Sequence, residues 1–168
     1  MLDMLPFLQA IFYALKLLLP FFLIAIIFEL LRKLPTLVSE YRAQKTGISD
    51  LDNLSGREFE IWLAGFFKRM GYKNVKLLRE SKDYGADILV TNTQGKCWAI
   101  QAKKRTGSNV GVSAIGEVLR GKRWYKCDYA MVITNSGFTK QAWDEAAACG
   151  VTLWDRRELI KISEEIKS

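Results

Sequence analysis

The chain has 168 residues, 49% of them apolar and 26% charged, with a net charge of +7 and no histidine. This composition is too apolar for a disordered chain, and the length suits one ordinary domain plus an appendage. The absence of histidine excludes Ser-His-Asp and Cys-His nucleophilic catalysis and His-ligated zinc, so any hydrolytic chemistry must run on carboxylates, lysine, hydroxyls and a hard metal.

The charge is unevenly placed. Residues 1–54 carry five basic and five acidic side chains, so the whole positive excess lies in residues 55–168. A basic compact domain suits a polyanion: DNA, RNA or an anionic membrane surface. Cys97, Cys127 and Cys149 show no CxxC spacing and cannot all pair. Each sits among apolar neighbours, which predicts buried free thiols in a reducing compartment.

In chain order, residues 5–28 form an almost wholly apolar run whose length suits one bilayer crossing of roughly 20 residues. Lys16 interrupts it. A central lysine costs about 2.5–3.5 kcal/mol on insertion scales, and each Leu, Ile or Phe contributes about 0.3–0.6 in the other direction. More than a dozen such residues surround Lys16, so the sum favours insertion, and Lys16 can also snorkel toward an interface. The alternative is a buried core helix. Arg32, Lys33, Arg42 and Lys45 follow the run, and no basic residue precedes it. The positive-inside rule then predicts an uncleaved single-pass anchor in the cell membrane, with the rest of the chain on the cytoplasmic side. Residues 1–33 are read as the anchor, 34–54 as a juxtamembrane linker and 55–168 as the folded domain.

Ser55 followed by Glu58 is a capping-box signature. It opens a helix whose stripe is Phe59, Trp62, Leu63, Phe66 and Phe67, ending at Gly71. Strands are predicted at about 75–79, 87–91 and 97–103, the last two joined as a hairpin by Asn92-Thr93-Gln94-Gly95. A helix near 112–122 leads to strand 129–134. A helix near 140–149 then leads to strand 151–154, and a charged C-terminal helix follows. Strands alternating with helices predict an α/β fold with a mixed central sheet covered on both faces.

Asp87 opens one apolar strand, and Gln101 and Lys103 close the next. Side chains alternate along a strand, so Gln101 and Lys103 share a face while Ala102 points away. A carboxylate beside that pair can hold a hard divalent cation, with the lysine within reach of water or phosphate. As a purely structural residue, Asp87 would instead cap a turn. Gln101 offers a neutral amide oxygen, a weaker ligand than a carboxylate, so Asp87 looks for help from Glu60 on the first helix or Asp83 in the preceding loop. Otherwise Glu60 is a solvated helix charge and Asp83 a turn former.

These residues carry a resemblance. Asp87 with Gln101-x-Lys103 is similar to the PD-(D/E)xK nuclease core in its QxK variant. From about Gly56 to Ile162 the chain resembles the Mrr-type restriction endonuclease catalytic domain. The matching motifs are Gly56-Arg57-Glu58-Phe59-Glu60, Met70-Gly71-Tyr72, Asp83-Tyr84-Gly85-Ala86-Asp87, Ile100-Gln101-Ala102-Lys103, the run Val132 to Thr139 and Gly150-Val151-Thr152-Leu153. The resemblance implies a restriction-endonuclease-like αβββαβ core and a DNA endonuclease using Mg²⁺, with Mn²⁺ as a substitute, in restriction of foreign or modified DNA. Asp87, Gln101, Lys103 and Glu60 would then be catalytic. Asp87, Gln101 and Glu60 would ligate the metal, with Asp83 in support. The Gln for the commoner Glu is a departure that removes one negative charge.

Lys104 and Arg105 extend the basic patch. Arg120, Lys122 and Arg123 form a second one beside Trp124 and Tyr125. Phosphate contacts from such residues give salt-sensitive, sequence-independent affinity. Alternatively the two aromatics are core residues with a solvated rim. Thr134, Asn135, Ser136 and Thr139 form a strand-to-helix loop whose backbone amides either hold a phosphate or are capped by these side chains. The partners expected are DNA, a lipid bilayer through residues 5–28 and a second copy of the chain, since a double-strand cut needs two active sites. Two other readings stand beside the nuclease: a catalytically inactive nucleic-acid-binding module, and a membrane scaffold whose basic face meets anionic lipid.

Overall fold

The computed structural model describes residues 4–78 and 84–167. The chain divides into two units, residues 1–38 and 39–168.

Helix α1 (Met4–Lys45) contains Pro20 and Pro35 and supplies the described part of the first unit. Its stretch Ile11–Ala43 reaches a mean hydropathy of 2.5, long and apolar enough to cross a membrane. Every side chain from Ile11 to Pro35 is exposed, so among the described residues nothing buries this apolar surface. Lys16 Nζ lies 4.9 Å from the centre of the Phe12 ring, a cation–π contact that keeps the ammonium on the helix surface.

The second unit is a five-stranded mixed sheet with helices on both faces. A 3-10 turn (Ile48–Asn53) precedes α2 (Gly56–Arg69), β1 (Lys73–Leu77), β2 (Ile88–Thr91) and β3 (Cys97–Lys103). Then come α3 (Ser113–Trp124), β4 (Tyr129–Thr134), α4 (Lys140–Cys149), β5 (Val151–Trp154) and α5 (Arg156–Lys167). The strands lie in sequence order. β1–β2 and β2–β3 pair antiparallel, and β3–β4 and β4–β5 parallel. The hairpin is short enough to need only a turn, whereas each parallel step is bridged by a helix, α3 or α4. The α/β class with a mixed central sheet is therefore the observed architecture.

Strand alternation sorts the core into two clusters. Ile88, Val90, Ile100, Met131 and Ile133 face α2, meeting Phe59, Leu63, Phe66 and Phe67. Ala99, Ala130, Val132, Val151 and Leu153 face α3 and α4, meeting Ile115, Val118, Ala142 and Ala146. Ala43, Leu51 and Leu54, within the stretch read as linker, are buried in the first cluster, and Trp62 Nε1 donates to the Thr46 carbonyl at 3.0 Å. The alternation of apolar and polar residues there is too irregular to read as an element, yet the chain wraps the open end of α2.

Helix α2 starts as its sequence predicts. Ser55 Oγ accepts from Glu58 N at 3.2 Å, and Glu58 Oε2 accepts from Ser55 N at 2.8 Å, a complete capping box. Two predicted elements differ in extent. β1 runs two residues earlier than expected, with Asn74 at a left-handed φ of 51° and an irregular ladder between Lys73 and Lys76. Helix α3 continues to Trp124, which makes Arg123 and Trp124 helical.

The cysteines also differ from expectation. Cys97 and Cys127 are joined in a disulfide, with Cα atoms 4.7 Å apart, and Cys149 is free and exposed. Parallel pairing of Trp98 with Tyr129 brings Cys97 level with Asp128, whose neighbour Cys127 then meets Cys97 although the two cysteines are 30 positions apart in sequence. Asp128 fastens the same edge independently, since its carboxylate accepts from Cys97 N at 2.9 Å and from Lys96 Nζ at 3.2 Å.

Two predictions follow from this packing. A Cβ on Gly121 would lie 2.7 Å from Ala86 Cβ and 2.9 Å from Ala86 N. Gly121→Ala gains about 1 kcal/mol of helix propensity but meets overpacking worth about 1–3 kcal/mol, so its thermal midpoint should fall. The Ser55 amide and hydroxyl, together with Arg42 at 3.4 Å, hold the Glu58 carboxyl below its ordinary value of 4.5. A depressed acid contributes stability above its unfolded pKa and loses it as pH falls through the folded one. Between about pH 5 and pH 3, wild type should lose more stability than Glu58→Gln in paired denaturation curves.

Candidate active site

The β2–β3 pairing builds the site. The register Ile88↔Ile100 and Leu89↔Ala99 extends by one step, since Asp87 N donates to the Ile100 carbonyl at 2.8 Å and so sits across from Gln101. Leu89 and Ala99 belong to the α3 face, and alternation puts Asp87, Gln101 and Lys103 on that face too. Asp87 and Gln101 are only 6% and 5% exposed, which makes them costly unless hydrogen-bonded. Both are. Asp87 Oδ2 accepts from Gln101 Nε2 and from Ala102 N, the latter at 2.7 Å.

Helix α3 closes over the same face. A Cβ on Gly85 would come within 2.2 Å of the Glu117 carbonyl oxygen, and Gly85 has a φ of 94°, so glycine is required there on two grounds. This approach brings the Glu117 carboxylate into an ion pair with Lys103 Nζ, both groups partly exposed. Sequence reasoning missed Glu117. Its one signal is that it is the single acidic residue of a helix otherwise basic and apolar.

The other expected residues are placed as follows. The Glu60 carboxylate pairs with Arg57 at 2.6 Å, and Arg57 also donates to the Leu78 carbonyl at 2.9 Å. Leu78 N in turn donates to the Asp87 carbonyl at 2.8 Å, so Arg57 ties α2 to the backbone beside the site. Asp83 lies outside the described residues. Lys104 donates to Thr106 Oγ1, and Arg105 is exposed with its backbone held by Asn135. Arg120 and Arg123 are exposed on the last turns of α3, and Lys122 is half-buried.

The strand-to-helix loop is internally bonded. Thr134 Oγ1 donates to the Lys103 carbonyl at 2.6 Å, pinning the end of β3. Ser136 contacts the same hydroxyl at 3.1 Å, and Thr139 caps α4 by accepting from Ala142 N. Asn135, 2% exposed, accepts from Arg105 N and donates to the carbonyl of Arg105 and to Asp52. Asp52 also binds Arg156 at 2.7 Å, and these contacts, Asn135 first, hold its carboxyl below the usual carboxylate range. The network joins the 3-10 turn, the β4–α4 loop and α5 beside the strand end that carries Lys103.

The donor chemistry can be tested against a metal. Asp87 supplies a hard carboxylate and Gln101, whose amide nitrogen donates to it, carries an amide oxygen on the same side chain; a magnesium-sized ion needs only one or two carboxylates, the rest coming from water and phosphate. Among the described residues no group of three or more His, Cys, Asp or Glu converges, which disfavours a soft or fully caged metal. The residues fit a hard divalent cation that shares its shell with substrate.

Comparison with known proteins bears on the fold and the family. No curated protein matches the chain. Among solved structures, the DNA modification-dependent restriction endonuclease AspBHI aligns over 73% of this chain and 34% of its own, with 16% identity and a TM-score of 0.55. That likeness shows a shared fold. The protein of unknown function AF1548 aligns over 55% of this chain and 54% of its own, with 16% identity and a TM-score of 0.47. The MspJI restriction endonuclease, solved with a 27-mer oligonucleotide, aligns over 74% and 29%, with 20% identity and a TM-score of 0.41. The chain thus spans between 29% and 54% of the length of these structures. Residues 51–163, well over half of the sequence, match the model of the Mrr catalytic family, described as restriction endonuclease, and the chain belongs to that family.

Proposed function

We propose that the protein is a membrane-anchored, divalent-metal-dependent DNA endonuclease that restricts foreign or modified DNA. The observation that carries the reading is the gathering of Asp87, Gln101 and Lys103 on one sheet face under Glu117. Asp87 and Gln101 would hold the cation. A bound Mg²⁺ or Mn²⁺ supplies Lewis acidity and a more acidic water at a phosphodiester. Lys103 places its ammonium where negative charge grows on the phosphate oxygens, an electrostatic contribution of several kcal/mol when the donor is preorganised. Glu117 does that preorganising, acting as a positioning residue that fixes the lysine before substrate arrives.

The basic side chains Lys104, Arg105, Arg120, Lys122 and Arg123 supply phosphate contacts along the same face, and two copies of the chain would cut both strands. Thr134, Asn135, Ser136 and Thr139 serve DNA indirectly, by fixing the strand end and helix start around Lys103. The apolar helix α1 anchors the protein, and its flanking basic residues set the domain in the cytoplasm. In that compartment the Cys97–Cys127 pair would be kept reduced, and the Asp128 contacts would hold the strand edge without it. A second reading, binding without cutting, draws on the neutral Gln101 and on the engagement of Lys103 by Glu117.

Nicking of supercoiled plasmid, methylated and unmethylated, by the full-length protein in detergent tests the reading. Mg²⁺ or Mn²⁺ should support cutting and EDTA abolish it. Asp87→Ala and Lys103→Ala should each lose about 10²–10³-fold or more in rate. Glu117→Gln should lose about 10-fold in kcat with little change in KM, because the lysine loses the partner that orients it. DNA binding without nicking under every condition decides for the second reading. Separately, the full chain should float with membranes after alkaline washing, and removal of residues 1–34 should release it; release of the intact chain refutes the anchor.

A further inference from the structure

Beside the site lies a surface whose aromatic rings have no part in the chemistry proposed so far. Tyr84 and Trp124 stack face to face, ring centres 3.8 Å apart and planes 14° from parallel, with Tyr125 edge-on to Tyr84 at 6.3 Å. Both stacked rings are open to solvent, Tyr84 at 45% and Trp124 at 58% exposure. They line a groove of about 590 Å³ with Gly85, Arg120 and Arg123.

Three features set this pair apart from ordinary packing. Tyr84 is held at a φ of 48°, a left-handed conformation that a bulky side chain adopts only under constraint. The exposed rings gain little from burial, so apolar core formation does not account for the arrangement. The groove is also basic and close to the chemistry: Tyr84 is three residues from Asp87, and Arg120 is three residues along α3 from Glu117. A π-surface flanked by guanidinium groups is the chemistry that binds an unpaired nucleobase with its adjoining phosphates. The volume lies in the range of pockets that take a small organic ligand.

We infer that Tyr84 and Trp124 form a stacking platform for an unpaired base of the DNA strand, with Arg120 and Arg123 gripping the flanking phosphates. The inference rests on the nuclease reading and deepens it. The preferred substrate is DNA with a displaced or single-stranded base close to the scissile phosphate, and such DNA is favoured over a perfect duplex. Stacking is indifferent to base identity, so the platform selects strand structure instead of sequence.

Binding is measured with the full-length protein in detergent and EDTA. The probes are a thymidine homopolymer strand, a perfect duplex of equal length, and that duplex carrying one unpaired 2-aminopurine. The wild type should quench 2-aminopurine emission. Tyr84→Ala and Trp124→Ala should each weaken binding of the single strand about 10-fold and change duplex binding by less than about 2-fold. Tyr84→Phe and Trp124→Phe, which keep a ring, should bind as wild type does. Both positions are exposed, and circular dichroism of each variant checks its fold. Alanine variants that bind the strand undiminished, or lose strand and duplex equally, overturn the platform. If the wild type nicks plasmid in that case, the nuclease stands without it. Selective loss in a protein that never nicks supports the platform and overturns the nuclease.

Discussion

Helix α3 touches the Gly85–Ala86 backbone so closely that neither Gly85 nor Gly121 has room for a methyl group. Much of the site hangs on this contact. One helix thereby presents Glu117 to Lys103 at one turn, Arg120 at the next and Trp124 at its end, all beside the strand that Asp87 opens. A helix packed at an ordinary distance would leave Lys103 without its carboxylate and Tyr84 without its stacking partner. The two glycines cost backbone entropy in the unfolded chain. What they make possible is a rigid approach between the strand pair that carries Asp87, Gln101 and Lys103 and a basic helix.

The charge pattern within the site has the same logic. Lys103 pairs with the Glu117 carboxylate and Asp87 lies on the same sheet face, while Gln101 is neutral. With the usual Glu at position 101, Asp87 would face a second buried carboxylate directly, and the two would resist ionising together without a cation. The amide removes that repulsion: it donates to Asp87 Oδ2 and leaves the pocket satisfied by hydrogen bonds alone. In the proposed nuclease such a site would be preformed before any cation arrives, at the expense of weaker cation affinity. Lys103 would likewise have its ammonium neutralised by Glu117 until a phosphate competed for it.

How much of this was legible in the sequence depends on range. The capping box at Ser55, the aromatic stripe of α2 and the alternation that puts Gln101 and Lys103 on one face are local patterns, and each is found in the structure as read. Contacts between distant segments were not legible. Glu117 meets Lys103 across 14 positions, Cys97 meets Cys127 across 30, and Asp52 meets Arg156 across 104. Parallel pairing and helix docking decide such meetings, and no local spacing encodes them. The stretch before Ser55 shows the same gap. Leu51 and Leu54 look like linker residues until α2 is seen to need them against its aromatic face.

The long-range contacts converge on one place. Asn135 ties the Arg105 backbone to Asp52, Asp52 ties it to Arg156 at the start of α5, and Thr134 pins the Lys103 carbonyl. Lys103 therefore ends a strand whose last residues are clamped from the 3-10 turn, from β4 and from α5. On a fraying strand end the lysine would sweep through many rotamers and lose the geometry that the electrostatic role proposed for it requires. Here the backbone beneath it is fixed from three directions and its ammonium from a fourth, by Glu117. The hydroxyl- and amide-rich loop that resembles a phosphate cradle in sequence is, in the fold, the means of holding that strand end still.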